Sequence, residues 1–416
     1  MSKGYDQTCA RGEQRERNDN EVTFFSQNDP ASPSPDDVVS SDLSAQSEAT
    51  RHRPSRQFIA GWIAIAVACV CALVLAILPA PFVIEQPGPV FNTLGSAQPV
   101  TRGSGQGSSS DGSPMITIKG HETSDNAGSL DVLTVSVLGN PEQRPSWFQI
   151  LAAWFDPSQS VQPIEALFPS GTTLNQSNAE NAALMTNSQQ DAIAAALNQL
   201  GYEFPQAVTV QQVIPNTPAQ GVLKVNDEVM SVNGNTVGSI QQLQNAVADN
   251  GTSRTAQVGI IRDGHALTVS IRPARVDGQL LFGIGAGMTY QFPFTVTIRL
   301  QDVGGPSGGQ MFALGIMDKL TPGGLTGGHL VAGTGTIDNR GVIGPIGGIR
   351  QKMFGARDEG HAQYFLAPES NCSEVVGHIP SGLHVFAVKT LTDSLTALKA
   401  IRTGANTQNL PTCTGK

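Results

Sequence analysis

The pattern of hydrophobic and polar positions changes several times along the chain, and each change predicts a different element. Residues 1–57 are polar, rich in Ser, Asp, Glu, Arg and Asn, without apolar periodicity. Such a stretch buries too little apolar surface to offset the entropy of ordering, so it reads as a disordered tail. Residues 58–78 are apolar and uncharged. At about 1.5 Å per residue this run matches the roughly 30 Å core of a bilayer and predicts a single transmembrane helix. Arg51, Arg53 and Arg56 precede it, and no Lys or Arg follows until Arg102. The positive-inside rule then places the tail in the cytoplasm and residues 79–416 outside the cell membrane. A cleaved signal peptide fits less well, because both the leader and the apolar run are too long.

Beyond the span, residues 79–95 read as an irregular, proline-rich exit and 101–114 as a Gly/Ser loop. Residues 115–119 and 130–138 have strand composition. Trp147, Ile150, Leu151 and Trp154 recur at helical spacing on one face. Core packing is the default for that face, with contact to a membrane surface as the alternative. A helix is expected over 178–200, ended by Gly201. Residues 206–274 change character: a strand at 208–213, a Pro- and Gly-rich turn, a second strand, a helix opening at Ser239, and a hairpin turning at Asp263-Gly264. A helix follows Ser307, with Met311, Leu314 and Met317 on one face, and another lies near 395–401.

Composition narrows the function. The length of 416 residues and 39% hydrophobic content allow two or three domains with real cores. A net charge of −9 argues against a nucleic-acid partner, which would call for a basic surface. Of the five cysteines, Cys9 lies in the tail and Cys69 and Cys71 in the span. Cys372 and Cys413 remain as the outer pair, and an oxidising compartment suggests a disulfide between them. No Cys-x-x-Cys or His-Glu-x-x-His spacing occurs, so no metal is expected. No Walker-type nucleotide motif occurs either, and no cofactor is expected.

The candidate chemistry is a serine and a lysine in glycine-rich turns, Ser307 and Lys352. A serine hydroxyl needs a base to become a good nucleophile. Lysine can be that base when burial lowers its pKa. Glycines around Ser307 free backbone N–H groups for an oxyanion, and the helix start behind it favours negative charge. A plain helix cap would have the same turn composition.

Three motifs in order resemble the proteolytic domain of Lon-type peptidases over residues 292–401. Gly305, Pro306, Ser307, Gly308 and Gly309 match the family's Gly-Pro-Ser-Ala-Gly. Thr334, Gly335, Ile337 and Gly341 fit Thr-Gly-Glu-Ile-x-x-x-Gly, and Pro345, Ile346, Gly347, Gly348 and Lys352 fit Pro-Ile-Gly-Gly-x-x-x-Lys. The resemblance implies Ser307 as nucleophile, Lys352 as general base and Thr334 as the hydroxyl that orients the lysine. Many members carry Asp three residues before the serine. Here Gly304 stands there, with Asp302 close but out of register. His329 is read as structural.

Residues 206–274 resemble a PDZ domain through Thr217, Pro218, Ala219, Leu223, Asp227, Val229, Val232, Asn233 and Gly234, with Asn226 replacing the usual glycine. The groove such a domain offers to free peptide C-termini is placed between strand 208–213 and helix 239–247, with a carboxylate loop at 202–207.

The expected architecture is α+β and multidomain: a disordered cytoplasmic tail (1–57), a transmembrane helix (58–78), a first portion of the Lon-type domain (79–205), a β-rich PDZ domain (206–274), the dyad-bearing Lon-type portion (276–402) and a C-terminal tail (403–416). The resemblance implies a membrane-anchored, ATP-independent serine endopeptidase of bacterial type. It would act on extracytoplasmic proteins selected through the PDZ domain, with homo-oligomers possible. The alternative is a catalytically silent PDZ scaffold.

Overall fold

The structure is a computed structural model and describes residues 56–100, 112–169, 173–276, 279–300, 303–405 and 407–414. The expected tail, most of the Gly/Ser loop, Asp302 and Cys9 lie outside the described residues. Arg56–Ile77 forms one helix of 22 residues. Its window Ile59–Ile77 has the length and composition to cross a membrane, and none of it is buried against protein.

The central element is a six-stranded sheet ordered His384–Val388, Tyr364–Pro368, Leu330–Gly333, Ser129–Leu138, Phe82–Asn92, Ser160–Pro163. The first four strands are parallel, and Phe82–Asn92 runs antiparallel to both of its neighbours. Strands from before residue 164 and after residue 329 therefore share one sheet.

Helices cover both faces, which is how a largely parallel sheet buries its two apolar surfaces. On one face Leu130, Val132, Val331, Leu366 and Phe386 pack under Met311, Phe312 and Leu314 of helix Gly309–Leu320, and under Ile193 and Leu197 of helix Leu174–Gln199. On the other face Leu133, Ala332 and Phe365 pack under Ile349, Met353 and Ala356 of helix Ile349–Asp358. Helix Gly309–Leu320 is buried all round from Gly309 to Asp318. It is a core helix, not the one-sided helix that the Met311/Leu314/Met317 spacing predicts.

The proline-rich exit is corrected. Phe82–Asn92 is a strand despite Pro87 and Pro89. Its register against Ser129–Leu138 shifts between Pro87 and Val90. An irregular step of this kind accommodates residues that cannot donate to the ladder. A Cβ at Gly88 would lie 2.4 Å from Thr134 Oγ1, so only glycine fits the step.

A second sheet is ordered Ile284–Tyr290, Gln206–Val213, Glu228–Val232, Ala256–Arg262, His265–Ile271. Helix Ile240–Asn250, capped by Ser239, packs Leu243 and Val247 into its core with Val208, Val229, Val258 and Phe282. Asn226 is left-handed at φ 71°, as its role in place of glycine requires. Asp227 is buried and paired with Arg262 at 2.6 Å. The Asp263-Gly264 turn closes the expected hairpin, with both residues at positive φ. Cys372 and Cys413 are joined by a disulfide.

Candidate active site

The strand Leu330–Gly333 ends at Thr334, where the starts of the two covering helices converge. Ser307 lies in the turn just before helix Gly309–Leu320. That turn is held on three sides. The Gly305 amide donates to the Asn181 carbonyl at 3.1 Å. Ser188 Oγ donates to the Pro306 carbonyl at 2.9 Å. The Ser307 carbonyl accepts from the Gly335 amide at 2.9 Å and from Thr334 Oγ1 at 3.0 Å. Gly305 has φ +84°, which explains a glycine before the proline.

Lys352 projects from the first turn of helix Ile349–Asp358. That helix begins from Gly348, left-handed at φ 67°, where a Cβ would lie 2.7 Å from Val135. The lysine is only 3% exposed, and its Nζ donates to Thr334 Oγ1 at 3.3 Å. Thr334 thus links the lysine ammonium to the serine backbone. Burial pushes the Lys352 pKa down from 10.5 to about 8, while the nearby Glu85 carboxylate pulls it back upward. The surroundings therefore supply a lysine far easier to deprotonate than one in water.

Ser307 and Lys352 line the same cleft of about 780 Å³, together with Glu85, Asn181, Gly304 and the strand segment 133–137. That segment is the continuation of Ser129–Leu138 beyond its pairing with Leu330–Gly333, which ends at Val132. Its edge on that side faces the cleft unpaired among the described strands.

Sequence reasoning missed Glu85, Asn181 and Ser188. Glu85 was hidden inside the supposed irregular exit, and its carboxylate accepts from Ser160 Oγ at 2.9 Å. Asn181 gives a steric account of Gly304: a Cβ at 304 would lie 2.7 Å from Asn181 Cβ. An aspartate in that register would collide with the helix that carries Asn181. His329 stacks edge-on against Tyr364, 5.7 Å between ring centroids.

The groove placement is also corrected. Gln206–Val213 has strands on both sides, Ile284–Tyr290 and Glu228–Val232, so no peptide can add to it. The edge of that sheet next to Gln206–Val213 is Ile284–Tyr290. It begins after Gly283 at φ +87°, and its Ile284, Ala286 and Met288 are partly buried against the same core as Ile240 and Ala246 of the helix. The open edge of the sheet beside helix Ile240–Asn250 is therefore this strand, not Gln206–Val213. It follows residue 274 in the chain, beyond the stretch read as the PDZ unit, which is why pattern reading placed the edge on the wrong strand.

This sheet meets the Thr334 loop directly. Asn339 Nδ2 donates to Gln206 Oε1 at 2.8 Å and to the Gly238 carbonyl at 3.4 Å. The Asn339 carbonyl accepts from Asn198 Nδ2 at 2.8 Å. Beside it, Tyr290 Oη donates to Asp191 Oδ1 at 2.5 Å. Burial raises the Asp191 pKa to about 6, against the lowering effect of the Tyr290 bond, and the Asp338 charge raises it further.

Residues 178–272 match the PDZ domain family, and residues 301–400 match the Lon protease (S16) C-terminal proteolytic domain. No curated protein matches the chain. Among solved structures, the PDZ domain of an SdrC-like protein from Listeria monocytogenes is 22% identical, covering 19% of this chain and 86% of its own, with a TM-score of 0.19. Its Listeria innocua counterpart is also 22% identical, covering 19% and 92%, with a TM-score of 0.19. A domain from Geobacillus thermodenitrificans is 23% identical, covering 19% and 94%, with a TM-score of 0.18. Scores this low carry no argument. The two family matches do: the chain carries a PDZ domain and a Lon-type proteolytic domain in a mixed α+β fold, the combination of a Lon-like protease.

Proposed function

We propose that the protein is a membrane-anchored, ATP-independent serine endopeptidase working by a Ser307–Lys352 dyad. Neutral Lys352 accepts the Ser307 hydroxyl proton as the oxygen attacks the peptide carbonyl. The protonated lysine then returns that proton to the leaving amine, and water releases the acyl group by the same route. Thr334 holds the lysine through its hydroxyl. The amides of Ser307 and Gly308, in the turn just before helix Gly309–Leu320, receive the developing oxyanion. The substrate lies extended along the free edge of segment 133–137, where backbone pairing sets its register.

The observation that carries this reading is the convergence of Ser307 and a buried Lys352 on one cleft, with Thr334 bonded toward both. It favours an enzyme over a silent scaffold, which needs no buried lysine beside its serine. Residues 79–205 and the stretch from after Tyr290 to 402 are read as one proteolytic domain, with the PDZ unit inserted between them and running past 274 through the strand Ile284–Tyr290. Support comes from the sheet shared by strands on both sides of the insert. The PDZ groove at Ile284–Tyr290 captures free peptide ends and raises their concentration near Ser307. The Arg51, Arg53 and Arg56 flank supports a cytoplasmic tail and an extracytoplasmic cleft, and the Cys372–Cys413 disulfide suits that side.

Cleavage of an unstructured peptide by the purified full chain, compared with Ser307→Ala and Lys352→Ala, tests the reading. Each variant should lose activity, and the double variant should lose no more than either single, because nucleophile and base act as a unit. Cleavage that survives Ser307→Ala would remove the dyad.

A further inference from the structure

Helix Trp147–Phe155 has two apolar faces, and only one is covered. A capping box between Ser146 and Gln149 starts it. Ile150 and Ala153 are buried with Ala80 and Ile84, and the Trp147 ring meets Phe82 edge-on at 5.8 Å. On the other side Phe148 is 59% exposed, Leu151 42%, Trp154 62% and Phe155 82%. Four large apolar side chains together on one short helix are not ordinary surface scatter. They also depart from the single Trp147/Ile150/Leu151/Trp154 core face that spacing suggests.

The neighbourhood of this helix says what covers the face. The Trp147 amide donates to the Leu78 carbonyl at 3.2 Å, the Ala80 amide donates to the Pro145 carbonyl at 2.8 Å, and Pro79 bridges Ser146. Leu78 to Ala80 close the apolar run that is long enough to cross a bilayer. The helix therefore starts where the chain leaves the lipid. At about 1.5 Å per residue it extends no more than roughly 15 Å from that point. Tryptophan and phenylalanine are the side chains that settle at the boundary between headgroups and acyl chains.

We propose that Phe148, Leu151, Trp154 and Phe155 rest in the lipid interface and hold the Ser307 cleft close to the bilayer. The polypeptides it cuts are then those tethered to the membrane or emerging from it. This rests on the membrane-anchored protease reading. The coupling to the cleft is short. The helix packs on Ile84, and the next residue of that strand, Glu85, lines the cleft with Lys352. Arg350, two residues before Lys352, donates to the Pro157 carbonyl just past the helix at 2.6 Å. The face and the cleft are thus parts of one packed body, and the face docks the cleft as it docks itself.

The test uses the full chain with Trp62→Phe, reconstituted in phosphatidylcholine vesicles, with and without a further Trp154→Phe change. The difference between the two emission spectra reports Trp154. It should be quenched by phosphatidylcholine brominated near the headgroup and shielded from aqueous iodide. Quenching by iodide but not by bromolipid would overturn the proposal. Shielding from both would also overturn it, since another protein surface would then cover the face. A second arm replaces Phe148, Leu151 and Phe155 by serine. Cleavage of a short soluble peptide should be unchanged, while a lipid-tethered version of that peptide should be cut about tenfold more slowly, as the local concentration is lost. Equal rates on the tethered peptide would contradict the inference. Failure of the catalytic reading looks different: no Ser307-dependent cleavage of either peptide, with the fluorescence arm still deciding the docking.

Discussion

Replacing Lys352 by methionine should abolish catalysis and raise stability at the same time. The lysine is buried at 3% exposure and its pKa falls from 10.5 to about 8 because the charged form loses its water. That drop corresponds to about 3 kcal/mol at 1.36 kcal/mol per factor of ten. A folded-state pKa below the unfolded one means the folded lysine resists protonation. The cost is full below about pH 8, declines as pH rises, and vanishes above 10.5. Methionine fills a similar volume without charge and removes the cost. At pH 7 the variant should gain about 3 kcal/mol, at pH 9 about 2, and near pH 11 almost nothing. For a unit of this size the gain at pH 7 amounts to roughly 6–12 °C in melting temperature. Thermal unfolding of the detergent-solubilised chain across this pH range measures it. A stability difference that does not shrink with rising pH, or a less stable variant, would refute the argument that a desolvated lysine serves as the base.

The same perturbed lysine fixes the pH profile: kcat/KM should rise with pH up to about 8 and then level, as the neutral amine becomes the major form. A profile that rises instead only toward the ordinary lysine value would sever activity from this site. Asp191 gives a second pH effect of opposite origin. Its folded pKa of about 6 lies above the ordinary 3.8, so its contribution to stability is full below 3.8 and is lost as pH rises through 6. Asp191→Asn should therefore flatten the stability of the chain between pH 4 and 7, by on the order of 2 kcal/mol, read by melting temperature at each pH. Gly283→Val should displace the start of the groove strand, because a Cβ at 283 lies 2.1 Å from Thr217 Cβ and the φ of +87° strains any side chain there. It should impair processing of a folded protein substrate more than cleavage of a short peptide, and equal losses on both would remove the PDZ unit from substrate choice. Exchanging both Cys372 and Cys413 for serine should cost on the order of 4 kcal/mol, given the separation of 41 residues they close; an unchanged melting temperature would contradict this.

The glycines of the motifs were legible because the turns they form need particular residue types. Gly305 and Gly348 adopt left-handed backbone beside Ser307 and Lys352, and only glycine does so without strain. The membrane run and the Asp263-Gly264 hairpin were legible for similar local reasons. What the sequence concealed depends on long-range pairing. The strand Phe82–Asn92 carries two prolines that argue against a strand, and only its irregular step against Ser129–Leu138 reconciles them. Glu85 stayed hidden with it. The strand Ile284–Tyr290 pairs backward onto Gln206–Val213 across most of the PDZ unit, a partnership no local pattern announces. Helix Trp147–Phe155 shows the limit of periodicity. Spacing marks apolar positions, but it cannot tell which of them are buried against protein and which stay exposed.

The central claim is that Ser307 is a nucleophile activated by Lys352. Its most direct test is covalent capture: incubate the purified full chain with a fluorophosphonate at pH 8 and locate the adduct by mass spectrometry. The account predicts a single adduct at Ser307, absent from Ser307→Ala and nearly absent from Lys352→Arg, since arginine stays protonated. Unlabelled Ser307 in well-folded protein, or full labelling of the Lys352→Arg variant, would contradict it.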